Sequence, residues 1–205
     1  MTSPAARRPR RDAQANRAGI VSAAAVEIAR DPHASLDAIA RSAGLSRRAL
    51  YGHFDDRDAL VTEVIVTGAA RFNAIAARID DPDPRRALAL LAAALWHEAS
   101  HVRAAAAIAL DETHVAHTAA ALAPLRAKIA EIVARGRADG SLRTDIPAAV
   151  LTDLIEGTGR AVVSHLHVDA TDGGELAVKA VLGIAGLSWR ESIELLADES
   201  EETSE

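Results

Sequence analysis

The sequence predicts an all-α protein, and three observations carry that reading. Alanine dominates the apolar residues, which make up half of the chain. It is the best helix former and a poor strand former. Apolar residues recur at i, i+3, i+4 and i+7 in successive segments, the stripe of an amphipathic helix. Helix start and stop residues separate those segments, and none alternates as a strand would. The pattern gives about nine helices: a three-helix N-terminal unit containing a helix-turn-helix, then a larger helical body.

The elements follow in order. Residues 1–11, with Arg7, Arg8, Arg10 and Arg11 among Pro and Ala, are expected to be a disordered basic arm. The first helix spans Ala13 to Arg30, with Ile20, Ala24 and Ile28 on one stripe beside Val21 and Ala25, and Asp31-Pro32 stops it. Ser35 is the N-cap of the second, which carries Leu36, Ile39, Ala40 and Ala43 on its apolar face. Gly44 stands where a left-handed C′ glycine is expected. Ser46 caps a short third helix, Arg47 to Tyr51, and Gly52 ends it. Asp55 or Asp56 caps a fourth helix reaching Ile79, and Asp81-Pro82-Asp83-Pro84 breaks the chain. Helices at 84–100, 102–116, 119–139, 147–168 and 174–197 follow, separated by Gly140, by Asp145-Ile146-Pro147 and by Asp172-Gly173-Gly174. Asp198 to Glu205 is an acidic tail. The expected domains are thus the arm at 1–11, a head at 12–58, a body at 59–197 and the tail at 198–205.

Composition narrows the function. There is no cysteine, so disulfides and thiolate metal sites are excluded, and a reducing cytoplasmic setting fits. No uninterrupted apolar run reaches the roughly 18 residues of a membrane span, and no membrane role is expected. The net charge of −6 is split unevenly. Residues 1–60 carry ten Arg against seven acidic residues, and the remainder carries thirteen basic against twenty-two acidic. A basic head on an acidic body suits binding of a polyanion.

Residues 35–52 form two short helices joined by a turn of about three residues containing Gly44, the helix-turn-helix pattern. Leu36, Ile39, Leu45 and Leu50 are placed to fix the second helix against its neighbours. Ser46, Arg47 and Arg48 sit at its N-terminal end, where base edges and phosphates lie in such complexes. Between Arg41 and His53 there are three Arg and no acid. Packing at a helix end is the alternative role for Tyr51 and His53.

At these residues the chain resembles a known family. The stretch SLDAIARSAGLSRRALYGHFDDRDAL, Ser35 to Leu60, is similar to the TetR family signature, carried by Ile39-Ala40, Ala43-Gly44, Tyr51, His53-Phe54, Asp56-Arg57 and Leu60. Upstream, RAGIVSAAAVEIAR resembles the family's first helix, and the likeness covers roughly residues 12–65. Two positions depart from the pattern. Arg48 then Ala49 stand where the family often has Gly then Thr, and Arg57 stands for its common Lys. The resemblance implies a homodimeric transcriptional regulator, a repressor in the usual case, that binds a pseudopalindromic operator and is released by a small-molecule effector. It implies no enzyme activity and no cofactor. It places Arg47 and Arg48 at bases or phosphates, where Arg can pair bidentately with guanine. Ala49 would meet a thymine methyl, and Ser35, Tyr51 and His53 would hold phosphates. Ser46 and Arg57 complete the expected DNA-binding set.

The resemblance also implies an effector pocket enclosed by helices 4 to 7, and a dimer formed by 147–168 and 174–197 as a four-helix bundle. Val150, Leu154, Gly157, Ala161 and Val162 fall near one face of the first of these. Leu176, Val181, Ile184, Leu187 and Leu195 mark the second. An ordinary intramolecular core is the alternative for both stripes. Polar candidates for the pocket are Trp96, His97, His101, Arg103, His114 and His117; a largely apolar cavity with a few polar groups is the usual small-molecule site. His97-Glu98-Ala99-Ser100-His101 also matches H-E-x-x-H, in which two His one turn apart bind zinc and the Glu is a general base. Glu112, His114 or His117 would have to supply a third ligand. Three specified positions in five recur by chance, so no metal site is expected. A metal-responsive regulator using His97 and His101 ranks above a zinc hydrolase as the alternative.

Overall fold

The structure, a computed structural model, describes residues 8–100, 114–165 and 173–202. Among the described residues there are ten helices and no strand: α1 (Arg8–Arg30), α2 (Leu36–Ser42), α3 (Arg47–Tyr51), α4 (Arg57–Arg78), α5 (Pro84–Ser100), α6 (Val115–Ala121), α7 (Ala123–Asp139), α8 (Ala148–His165), α9 (Gly173–Ala185) and α10 (Trp189–Glu202). The all-α class is as expected. The chain divides into two compact units. The head holds α1 to α3, α4 as far as Ala69, and α6; the body holds the rest of α4, α5 and α7 to α10.

The head closes around Ile20, Val21, Ala24, Ile28, Ile39, Ala40, Leu50, Phe54, Leu60, Val61, Val64 and Ile65. The α1 stripe is the one its spacing predicts. The described part of the helix reaches back to Arg8, inside the segment expected to be an arm. After α1, the Asp31 carboxylate accepts from His33 N at 2.8 Å, and Ala34 N donates to Asp31 O at 2.9 Å, which turns the chain into α2. The head core extends beyond Asp58, where the sequence boundary was drawn, since four of its members lie on α4. Asp56, not Asp55, is that helix's cap, accepting from Ala59 N at 2.7 Å. By length and composition α4 is apolar enough to cross a membrane, a property masked in the sequence by Glu63 and Arg71; its Leu60, Val61, Val64 and Ile65 are instead buried in the head.

The body packs α9 against α5 and α8, and α8 against α7. Its core joins Leu88, Leu91, Ile129, Ile132, Val133, Leu151, Ile155, Val178, Val181, Leu182, Leu187 and Leu195 with Ala76, Ala87, Ala89 and Ala185. Two expected helices are divided. The helix expected at 119–139 begins instead as α6, and α7 starts anew at Ala123 with Pro124 in its first turn. Asn73 Oδ1 accepts from Leu125 N at 3.1 Å and so caps α7 from far along the chain. The helix expected at 174–197 breaks at Gly186, whose φ of +110° would strain an L side chain. It restarts as a capping box: Ser188 Oγ accepts from Glu191 N at 3.3 Å, and Glu191 Oε2 from Ser188 N at 2.7 Å. Most of the expected helix 102–116 lies outside the described residues.

The dimer stripe expected on 174–197 needs correction. Val181, Leu187 and Leu195 are buried in the body's own core, and Ile184 packs against it. Only Leu176 of that set is exposed. On α8, Val150 and Leu154 are 45% and 44% exposed, whereas Leu151 and Ile155, on the other face, are buried. Trp189, at 66%, and Ile193 add exposed apolar surface on α10 that the sequence reading did not single out.

Candidate nucleic-acid interface

Two serines and one glycine set the geometry of the helix-turn-helix. Ser35 and Ser46 have extended backbones, and their hydroxyls accept from Ala38 N and Ala49 N, each at 3.2 Å. Each satisfies one of the four donors a helix start leaves free. At the end of α2, Gly44 takes φ +69°, while Leu45 N donates to Ala40 O at 2.9 Å and Gly44 N to Arg41 O at 3.0 Å. This is the Schellman arrangement. It reverses the chain within three residues, and Leu45 packs on the core. Leu50 anchors α3 with no exposed surface.

That anchoring leaves Ser46, Arg47, Arg48 and Tyr51 exposed, with Ala49 and His53 half-buried. The two neighbouring arginines differ. Arg47 Nη1 lies 3.2 Å from Asp37 Oδ2, its Nη2 donates to the Tyr51 hydroxyl at 3.4 Å, and its Cζ stands 5.5 Å from the Tyr51 ring centroid. The Tyr51 hydrogen bond, followed by the Asp37 charge, raises its pKa beyond the ordinary arginine value. Arg48, like Arg41, is exposed and makes no side-chain hydrogen bond or ion pair among the described residues. Ser35 is exposed, but its hydroxyl is engaged in capping.

Arg57 holds the fold. Its Nη2 donates to Pro32 O at 2.5 Å and its Nε to Ala34 O at 3.4 Å, fixing the loop before α2. Arg17, absent from the sequence-based set, does the same for the end of α3. Its Nη1 donates to His53 O at 2.6 Å, its Nη2 pairs with Glu63 at 3.1 Å, and its Cζ lies 4.1 Å from the Phe54 ring centroid. A charged residue one turn before Ile20 on the buried stripe was the available signal.

The expected pocket residues are divided between the units. Trp96 and His97 lie on α5 in the body, and His114 and His117 belong to the head; His101 and Arg103, like the third-ligand candidate Glu112, lie outside the described residues. Trp96 packs its indole on the start of α9, so close that a Cβ on Gly173 would come within 2.5 Å of its Cζ2. Within the H-E-x-x-H motif, Glu98 faces Arg71 of α4 at 3.6 Å. Among the described residues no three His, Asp or Glu gather as metal ligands.

Comparison with known proteins agrees with this geometry. The profile of the bacterial regulatory proteins of the tetR family matches residues 20–64, which contain α2, α3 and the start of α4. Three solved structures show the same fold over most of their length. The transcriptional regulator FadR from Bacillus subtilis, solved with stearoyl-CoA, is 14% identical, with a TM-score of 0.71 over 82% of this chain and 97% of that one. The fatty acid degradation regulator FadR from Bacillus halodurans is 18% identical, with a TM-score of 0.72 over 83% and 94%. The TetR family regulator PfmR from Thermus thermophilus is 19% identical, with a TM-score of 0.68 over 82% and 98%. No curated protein matches by sequence. Residues 20–64 thus match the bacterial regulatory proteins of the tetR family, and the chain as a whole has the fold of these solved transcriptional regulators.

Proposed function

We propose that the protein is a homodimeric repressor that holds a pseudopalindromic operator and leaves it when a small molecule binds the body. The observation that carries the DNA-binding part is Arg48: a guanidinium exposed and uncommitted on a helix fixed by Ser46, Gly44 and Leu50. Arg48 and Arg47 are the base-reading candidates, with Ala49 against a thymine methyl. Ser35, Ser46, Tyr51 and His53 line the phosphates, and Arg57 supports the loop that presents them. Phosphate contacts position such a protein and base contacts specify its site. The protein acts in the cytoplasm on duplex DNA.

Val150 and Leu154 of α8, with Trp189 and Ile193 of α10, supply apolar surface for a second copy. The B. subtilis FadR carries stearoyl-CoA. By analogy of fold we take the effector class here to be an apolar or amphipathic small molecule. Footprinting on the duplex the protein enriches from a genomic fragment pool, together with sedimentation, tests the dimer. Two protected half-sites about 34–36 Å apart along the helix, or a multiple of that, are expected. A monomer protecting one half-site contradicts it. A compound that releases the operator must also bind the free protein more tightly than the DNA complex, because linkage is reciprocal. Thermal shift with and without operator measures this, and equal binding to both forms rejects the release mechanism.

A further inference from the structure

Arg47 and Arg48 are adjacent and alike in charge, yet only Arg47 is held. It is held by the Tyr51 hydroxyl and by Asp37 of α2, its one acidic partner among the described residues. Asp37 Oδ2 takes Arg47 Nη1 at 3.2 Å, while Asp37 Oδ1 is covered and accepts no hydrogen bond among the described residues. Arg47 is therefore the carboxylate's one side-chain partner there. Both side chains are substantially exposed, at 64% for Arg47 and 45% for Asp37. An exposed pair of this kind is weak and exchanges readily.

We propose that Asp37 is a specificity-setting residue of the interface. It keeps Arg47 on the protein surface against indiscriminate phosphate contact and yields it only to a site whose acceptors outcompete a carboxylate. Paired acceptors such as guanine O6 and N7 meet that condition, because both guanidinium donors are then used at once. Sequence-independent attraction falls to other exposed basic side chains such as Arg41, and the ratio of specific to random binding rises. This inference rests on the DNA-binding reading above.

The test measures affinity across a salt series for two probes: a random-sequence duplex of about 30 base pairs, and the duplex that the unaltered protein enriches from a genomic pool. Asp37→Asn is expected to bind the random duplex three- to tenfold more tightly and to narrow the preference for the enriched one. The slope of log affinity against log salt should steepen by about 0.9, the release attending one more phosphate contact. Asp37→Glu, which keeps the charge, should retain the original slope. With Arg47→Ala already in place, Asp37→Asn should change neither quantity by more than about twofold, since coupled residues lose their coupling when one is removed. An Asp37→Asn protein with the original slope and preference overturns the proposal. An equal gain in the Arg47→Ala background overturns it too, because the carboxylate would then act by repulsion alone. An unaltered protein with no salt-dependent preference sinks the DNA-binding reading itself, and this inference with it.

Discussion

Head and body are both helical and both enclose an apolar core, yet they are held in shape differently. The helix ends of the head are set largely by local signals. Ser35, Ser46 and Asp56 each cap a helix three residues on, and Gly44 closes α2 within its own turn. The body also relies on side chains that reach across the sequence. Asn73 caps α7, Arg135 Nη1 donates to Asp81 O at 3.0 Å, and Arg137 Nη1 holds the carbonyls of Arg143 at 3.0 Å and Ile146 at 2.6 Å. The turn of the helix-turn-helix is thus set by adjacent residues, and Arg17 and Arg57 hold its flanks through carbonyls distant from them in the chain. The start of α7 takes its cap from a contact that exists only once the body is folded.

The largest expected effects come from the two cores. Leu50→Ala in the head and Leu182→Ala in the body each remove a side chain with no exposed surface and should cost about 2–5 kcal/mol in urea unfolding. The comparison sharpens in the second readout: Leu50→Ala should also abolish operator binding, as it frees α3, whereas Leu182→Ala should spare it wherever the protein remains folded.

This contrast explains what could be read in advance. Ile20, Ala24 and Ile28, the two serine caps and Gly44 follow rules that act within a few residues, so the head was legible nearly to the hydrogen bond. The division at Leu122 was not, because Asn73, which accepts from Leu125 N just beyond it, lies far away in sequence. Nor was the break at Gly186, in a segment whose apolar residues run on without change of period. Alanine-rich stretches carry little periodicity, and Val181, Leu187 and Leu195 had the same spacing whether destined for a dimer face or for the core. At the interface, residue types were legible but their employment was not: Arg57 and Arg17 hold backbone carbonyls, and Arg47 is shared between Asp37 and Tyr51.

The glycines give the next effect. Gly186→Ala meets both a positive φ and a Cβ only 2.7 Å from that of Arg143, and should cost about 1–3 kcal/mol or more. Gly44→Ala has open space around it and meets only the left-handed conformation, for roughly 1–2 kcal/mol. Thermal unfolding should order the two, and a larger loss at Gly44 would contradict the account of the body's break. Cap removal is smaller again: Ser46→Ala and Ser188→Ala should each lose about 0.5–2 kcal/mol, with Ser46→Ala alone weakening DNA binding.

Acid titration gives the smallest effect, and it belongs to the body. The Arg143 guanidinium, through its hydrogen bond, holds the Asp145 carboxyl at about 2, below its ordinary 3.8. A folded-state value below the unfolded one means that the pair stabilises the fold above pH 4 and that this support fades as pH falls toward 2. The pair is exposed, so the slope is shallow. Asp145→Asn should flatten unfolding between pH 4 and 2, and an unchanged slope there would remove the pair from the account.

The most direct test of the central claim compares the unaltered protein with Arg48→Ala by anisotropy titration on the enriched duplex and a random one over several salt concentrations. The account predicts a salt-dependent preference for the enriched duplex. In Arg48→Ala it falls by an amount equivalent to about 1–3 kcal/mol, the worth of one bidentate base contact. Equal preference in the two proteins would contradict the assignment of Arg48 as the base-reading residue. No preference in either would contradict the reading of this head as a sequence-specific DNA-binding domain.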